Sequence, residues 1–414
     1  MTTETTLAPL PADERIQAMD VLRGFALLGI LLTNIEGMVG PLNASLTGLD
    51  QGLTGADRWA DALVYIFVQG KFYPLFSLLF GMGFAVMMAR AAAAGRPFFA
   101  VYLRRVLALL AIGLAHALLV WSGDILTTYA LIAVLLLACF RRTPQSRLPK
   151  WAIFFILVPS LLVGLFGLLG SAAQLDPTAA AQMNLALAEQ RSEMDAMLEA
   201  QRAAYGSGSF ADALAQRHED LAVMMGNLLL MGWQILGLFL LGSWFVRSGA
   251  IARPQQFPRL YQRLRWVALP IGLAMTLLSF RILPTMDFGR LDIASSAAMV
   301  LAMLGGMLMC LGYLAWIVKG LQSASAPRLG LLAPAGRMAL SNYLMQSIVC
   351  TTLFYGYGLG YFEQLPRAWQ VPFVLAFFAL QVVLSHAWLS RFRFGPAEWL
   401  WRAATYLRLP AMRR

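Results

Sequence analysis

Apolar runs of about 20 residues recur along the whole chain, and nothing else in the sequence constrains the fold as strongly. Stretches such as VLRGFALLGILLTNI and AIFFILVPSLLVGLFGLLG offer a bilayer enough helix to cross its hydrocarbon. Lipid gives the backbone no hydrogen-bond partners, so such runs must close their bonds internally as helices. Of 414 residues, 59% are hydrophobic and only 13% charged, a balance that suits a bilayer rather than water. The expectation is an all-α polytopic membrane protein of about ten transmembrane helices. They fall near 17–40, 59–89, 101–121, 126–140, 151–170, 222–245, 266–283, 293–318, 338–356 and 368–390.

Charge then orients the spans. Basic loops around Arg90, Arg96, Arg104 and Arg105, around Arg141, Arg142, Arg147 and Lys150, and from Arg247 to Arg265 are expected on the cytoplasmic side. SGD at 122–124 and the segment 171–221, with eight acidic residues against three arginines, are expected outside. Both termini are then cytoplasmic. The net charge of +11 belongs to these topology signals, so nucleic acid is not an expected partner. The polar start lacks the basic flank and cleavage site of a signal peptide, and the first span reads as retained. Cys139, Cys310 and Cys350 lie in apolar runs at no metal-ligand spacing, so neither a disulfide framework nor a metal is expected.

The chain divides into a tail at 1–16, a five-helix half at 17–170, an external helical insertion at 171–221, a second five-helix half at 222–390 and an interfacial tail at 391–414. The insertion reads as two helices with a flexible joint at Gly206-Ser207-Gly208-Ser209. In the tail, RFRFGPAEWLWRAATYLRLP alternates basic and aromatic residues, as an anchor on an anionic leaflet would.

Polar residues inside the spans are costly there and have to be either paired or in use. Asp20 and Arg23 stand one helical turn apart and can pair. Asn34 lies eleven residues beyond Arg23, about 16 Å along the helix and about 20° around it. That stripe lines a passage, or it is an interfacial ion pair plus an asparagine bonded to a neighbouring helix. Lys71 sits in QGKFYPLFSLLFGMGF, where Gly70, Pro74, Gly81 and Gly83 permit a break and close helix approach. It holds an anionic group, snorkels, or pairs with Asp20, Glu36 or Asp124.

His116 is the best general-base candidate, since imidazole titrates near neutral pH and the chain has only two other histidines, His218 and His386. The bland alternative is a hydrogen-bonded packing residue. On a straight helix Asp124 would be about 12 Å from His116 and about 80° out of phase, so pairing them needs a helix end. Glu36 is tolerated at the outer interface without a function. In PAGRMALSNYLMQSIVC, Asn342 and Gln346 share one face, with Tyr343 and Ser347 on another about 100° away. They line a wet cavity or glue helices together.

DVLRGFALLGILLTN, GKFYPLFSLLFGMGF, AHALLVWSGDILTTYA, GRMALSNYLMQS and RFRFGPAEWLWRAATY, in this order, resemble the YeiB-like family of bacterial inner-membrane proteins, whose C-terminal half carries a domain of unknown function. More distantly, the first span is similar to that of transmembrane acyltransferases of the heparan glucosaminide acetyltransferase type, where an asparagine follows an arginine by eleven residues. Arg23 and Asn34 match that spacing. The acyltransferase-3 group has a histidine where this chain has Asn34. The heparan type carries its histidine in the first external loop, where PLNASLTGLDQGL has none, which leaves His116 for that chemistry.

The resemblance implies transfer of a short acyl group from acyl-CoA, with acetyl-CoA the expected donor, to an envelope glycan, a lipid or a small amine. Arg23, positioned by Asp20, and Lys71 would contact the anionic donor. His116 would be the base, with Asp124 beside it, and Asn34 would orient the acyl carbonyl. Asn342, Tyr343, Gln346 and Ser347 would face the substrate. Membrane lipids are the expected surroundings, and a homodimer is left open. A transporter of a small anionic or amphiphilic solute also fits a polar stripe and a broken helix. So does a non-catalytic sensor or scaffold that uses 171–221 as its contact.

Overall fold

The computed structural model describes residues 16–287 and 289–414. The N-terminal tail expected at 1–16 therefore lies outside the described residues, apart from Ile16. Among the described residues the regular structure is helical, with isolated bridges joining Gly48 to Thr285 and Phe392 to Arg413.

The described residues form thirteen helices of ten residues or more: α1 (Gln17–Asn34), α2 (Gly55–Phe67), α3 (Phe72–Ala93), α4 (Phe98–Leu119), α5 (Leu126–Leu135), α6 (Leu148–Ala173), α7 (Pro177–Gln201), α8 (Phe210–Arg247), α9 (Leu269–Ile282), α10 (Ile293–Gly320), α11 (Ala339–Phe354), α12 (Arg367–Arg391) and α13 (Pro396–Tyr406). Among the described residues seven helical segments are long and apolar enough to cross a bilayer, α2 and α3 counting together as one broken segment. The protein is an all-α polytopic membrane protein. Of the ten expected spans, those of α1, α5 and α11 are helical but shorter or more polar than these seven.

Local sequence explains the main breaks. Between α2 and α3 the chain turns through Gly70 at φ +78°, a conformation that favours glycine. Asp176 caps α7 by accepting from the backbone of Thr178 and Ala179, with Pro177 at the first helical position. Ser209 and Asp212 form a reciprocal capping box at the start of α8.

The helices of the two sequence halves interleave. A Cβ at Gly81 of α3 would lie 2.0 Å from the Phe239 carbonyl oxygen of α8, and one at Gly242 of α8 would lie 2.0 Å from that of Leu78. Backbone thus meets backbone at this crossing, and Ser243 Oγ donates to the Gly81 carbonyl across it at 3.0 Å. One apolar core gathers α1, α3 and α10, and another gathers α4, α5 and α8.

The segment 171–221 departs from its expected form. Its second helix continues without interruption into the membrane as α8, 38 residues in all. The joint expected to be flexible is a packed corner: Tyr205 is buried, stacks on Tyr355 at 4.7 Å, and its carbonyl accepts from Gly356 N at 2.8 Å. The glycines there let the chain turn against Gly356 rather than hang free.

The C-terminal tail likewise does more than lie against lipid. The Gly395-Pro396 break starts α13, which packs on α4 through a Trp401 Nε1 bond to the Arg105 carbonyl at 2.8 Å. The last residues then double back, with Arg393 N bonded to Met412 O and Arg414 N to Arg391 O.

Candidate functional site

His116 lies on the last turn of α4, where the helix stops because Val120 N and Trp121 N both turn back onto the His116 carbonyl. The chain then reverses through SGD, and Asp124 returns to the helix it has just left. His116 Nδ1 and Asp124 Oδ1 are 2.9 Å apart, both residues are buried, and Asp124 Oδ2 accepts from Thr127 N at 2.7 Å. The straight-helix separation is overcome by the helix end that this pairing requires. An ionised Asp124 accepts from Nδ1–H, and that tautomer leaves the Nε2 lone pair as a base.

Among the described residues, His116 Nε2 has no hydrogen-bond partner. Tyr343 of α11 packs beside it, with ring centroids 5.1 Å apart. Its hydroxyl is also buried, facing the Ile125 backbone without an acceptable hydrogen bond. Each unmade bond of this kind costs about 1–3 kcal/mol, so two side by side are not an arrangement that stability favours.

A cavity of about 250 Å³ begins at Tyr343, Ile125 and Leu126. Ile30, Leu79, Phe80, Phe84 and Leu109 give it apolar walls. At the end that carries the N-terminus of α1, its lining becomes Arg23, Arg105, Arg337 and Arg402. A second cavity of about 210 Å³ adjoins it there and adds Arg90, Arg393 and Tyr406. Six arginines from separate parts of the chain therefore surround one mouth. Arg23 bonds Asp20 at 2.9 Å, the pairing expected from their spacing, and Arg105 stacks over the Trp401 ring at 3.6 Å.

Glu398 of α13 lines both cavities. It accepts from Leu340 N at 2.7 Å, Ser341 N at 3.1 Å and Ser341 Oγ at 2.5 Å. It thereby caps the N-terminus of α11, one turn before Tyr343.

Several expected site residues lie elsewhere. Asn34 is half-buried at the far end of α1 and does not line either cavity. Lys71 is buried, donates to the Tyr65 carbonyl at 2.8 Å and closes the broken end of α2, away from the mouth. Its expected pairing with Asp20, Glu36 or Asp124 gives way to this backbone bond, because the break leaves carbonyls that α2 cannot satisfy itself.

Asn342 and Gln346 take the gluing role. Asn342 Nδ2 donates to Ala335 O and Ser385 Oγ, and Gln346 Nε2 donates to Gln381 on α12. Ser347 Oγ bonds back to the Tyr343 carbonyl at 3.4 Å. Of those four only Tyr343 reaches the cavity. Glu36, expected to be idle, shares Arg367 with Asp61 at 2.9 Å each.

Arg105, Arg337, Arg402 and Glu398 are the residues that sequence reasoning passed over. A signal for one of them was present: Arg105 and His116 stand eleven residues apart, the same spacing as Arg23 and Asn34, but on α4. Arg105 reads as a topology signal in sequence, and Arg402 as part of a lipid anchor. Among the described residues there is no group of three or more His, Cys, Asp or Glu able to hold a metal.

Comparison with known proteins gives the chain as a whole a lineage. Residues 245–408 match a family described as a protein of unknown function, DUF418. The chain is 34% identical to the uncharacterized protein YxaH of Bacillus subtilis, covering 97% of each chain. It is 32% identical to the uncharacterized protein YeiB of Escherichia coli, covering 95% of this chain and 96% of that one. A 39.9 kDa protein from the amylase 3′ region of Bacillus acidopullulyticus is 28% identical over 97% of this chain and 96% of its own length.

Proposed function

We propose, from the premise that this chain belongs to the YeiB-like family of membrane proteins, that it transfers an acyl group from acyl-CoA to an envelope glycan, a lipid or a small amine. The observation that carries this reading is the continuity of one cavity from an arginine-ringed mouth to Tyr343, whose unpaired hydroxyl and ring stand in front of the His116 imidazole. In this reading the membrane is the bacterial inner membrane and the mouth opens to the cytoplasm, where acyl-CoA is found.

The donor's phosphates would bind at the mouth, where guanidinium groups make charge-assisted bonds to phosphate oxygens. Arg105, Arg337 and Arg402 take the part that Lys71 was expected to share with Arg23. The thioester would then lie beside Tyr343. His116 Nε2 takes the proton from the acceptor hydroxyl or amine as that atom attacks the thioester carbonyl. The carbon–sulfur bond breaks, and the departing thiolate recovers the proton from the imidazolium. Asp124 stabilises the imidazolium meanwhile, and the Tyr343 hydroxyl donates to the transient oxyanion. An acyl-histidine intermediate would use the same Nε2 as nucleophile.

The test is the melting temperature of detergent-purified protein against CoA and acetyl-CoA, with Arg105→Ala and Arg23→Ala as controls. A saturable rise that the controls abolish supports a donor site, because a ligand favouring the folded state stabilises it. No shift in a folded sample at millimolar ligand overturns the reading and favours gradient-driven transport of an amphiphilic solute.

A further inference from the structure

Two glycines of α3 stand two residues apart and do different work. Gly81 is a packing glycine, filled from outside by the Phe239 carbonyl. At Gly83 an added Cβ would meet only Arg23 Nη2, at 4.0 Å. The space beside Gly83 is therefore not occupied by a packed helix. It belongs to the cavities: Gly83 lines both of them. The other residues lining both are Arg23, Arg105, Arg337, Arg402 and Glu398. Where the basic mouth meets the apolar chamber, the wall thus consists of five charged side chains and one bare stretch of backbone.

We infer that Gly83 is the neck of the binding site, the position whose missing side chain lets the uncharged arm of a polyanionic ligand pass from the mouth into the apolar chamber. The inference rests on the acyl-CoA reading above and specifies it. The ligand class is a molecule with several phosphates at one end and an extended, uncharged arm at the other. The arm's length follows from α4: Arg105 at the mouth and His116 at the base are eleven residues apart, about 16 Å of helix rise and about 20° around the axis. A compact anion held at the mouth alone would leave the apolar chamber empty, and a neutral hydrocarbon would make no use of the basic mouth. A phosphopantetheine thioester meets both demands. An anionic lipid shares that chemistry, and the experiment separates the two sources.

The experiment compares wild type, Gly83→Ala and Gly83→Leu as full-length protein in neutral detergent. Each is titrated with adenosine 3′,5′-bisphosphate, which carries charge and no arm, and with CoA, acetyl-CoA and octanoyl-CoA. Wild type is expected to bind CoA more tightly than the bisphosphate. Gly83→Leu is expected to keep bisphosphate binding and to weaken CoA binding about tenfold or more, with Gly83→Ala close to wild type. If Gly83→Leu binds CoA and octanoyl-CoA as wild type does, the neck assignment is overturned while the donor site stands. If wild type binds none of these ligands, the acyl-CoA reading itself falls. Lysophosphatidylglycerol binding in wild type, lost in Gly83→Leu without any CoA binding, would overturn the phosphopantetheine assignment in favour of lipid.

Should Gly83→Leu fail to fold, Gly83→Cys gives a second readout. Its reaction with a small thiol reagent, counted against Cys139, is expected to be slowed by CoA and not by the bisphosphate. Equal rates with and without saturating CoA would overturn the inference.

Discussion

Two buried polar clusters face opposite sides of one short turn, and they treat their hydrogen bonds differently. Ser122 and Asp124, two residues apart, each join one of them. In the first, Asp220 takes four donors: Ser122 Oγ at 2.8 Å, Tyr205 Oη at 2.6 Å, Gln201 Nε2 at 2.8 Å and Gln216 Nε2 at 2.9 Å. Next to it the buried Arg217 lies among the rings of Tyr205, Phe210, Tyr355 and Tyr357 and bonds Tyr357 Oη at 2.8 Å. In the second cluster His116 Nε2 and the Tyr343 hydroxyl are left unpaired, and Tyr343 lines a cavity. The saturated Asp220 carboxylate holds the corner of the 171–221 segment in place, and through Ser122 it anchors the turn that delivers Asp124. Arg217 Nε beside it makes no hydrogen bond but is covered by aromatic rings. Burial, polarity and an unpaired nitrogen are common to both clusters, and only the second sets that nitrogen beside an unpaired hydroxyl that lines a cavity.

The largest expected effect breaks the comparison if it fails. His116→Asn, whose amide can keep a donor toward Asp124, should lower acyl transfer about 10³-fold, the range of a lost general base, at a smaller cost in melting temperature than His116→Ala, which strands the buried Asp124 carboxyl. Asp220→Ala should do the reverse first: four donors are stranded in a buried site, so stability should fall by about 3 kcal/mol in thermal or denaturant unfolding. Should folded His116→Asn keep wild-type transfer, the histidine is a packing residue.

The same chemical change in each cluster sharpens the contrast. Tyr205→Phe removes a hydroxyl that donates to Asp220 and should cost about 1–2 kcal/mol. Tyr343→Phe removes a hydroxyl that makes no bond, so its stability should be unchanged or slightly raised while transfer falls. Equal destabilisation by the two would show that Tyr343 is bonded after all.

The smallest effect concerns the outer attachment of α7, the helix that supplies Gln201. Arg191 donates to Asp287 at 2.5 Å and holds that carboxyl below its ordinary value of 3.8. A depressed carboxyl contributes stability above its unfolded pKa and loses it as pH falls through the folded one. Asp287→Asn should therefore lower the melting temperature slightly at neutral pH, and the difference from wild type should vanish as the pH falls through the depressed folded pKa. Both side chains are well exposed, so added salt should shrink it further.

The fold was legible wherever a single helix carries its own explanation. The apolar runs place the helices, the Asp20 and Arg23 spacing gives their ion pair, and Gly395-Pro396 marks the start of α13. The separation of Asn342 and Gln346 from Tyr343 and Ser347 is also a property of one helix. Which face meets a neighbour and which meets a cavity is not. Lys71 and Asn34 look reactive in sequence because each is polar within an apolar run, yet one satisfies a broken helix end and the other stays off the cavity. Arg105 and Arg402 looked like topology and anchoring signals because their loops are basic. Both belong to the mouth, since α13 folds back onto α4.

The sequence by itself determined that this chain is helical and lives in a membrane, because hydrophobic length and backbone satisfaction are local demands. It also named His116 as a base candidate, because residue type alone fixes what an imidazole can do. Only the tertiary structure decided that Asp124 reaches it, that Tyr343 rather than Asn342 stands beside it, and that six arginines share one mouth. Those facts depend on a helix end that reverses the chain and on contacts between α1, α3, α4, α11 and α13. Helical periodicity sets where a residue points on its own axis and is silent about what it meets there.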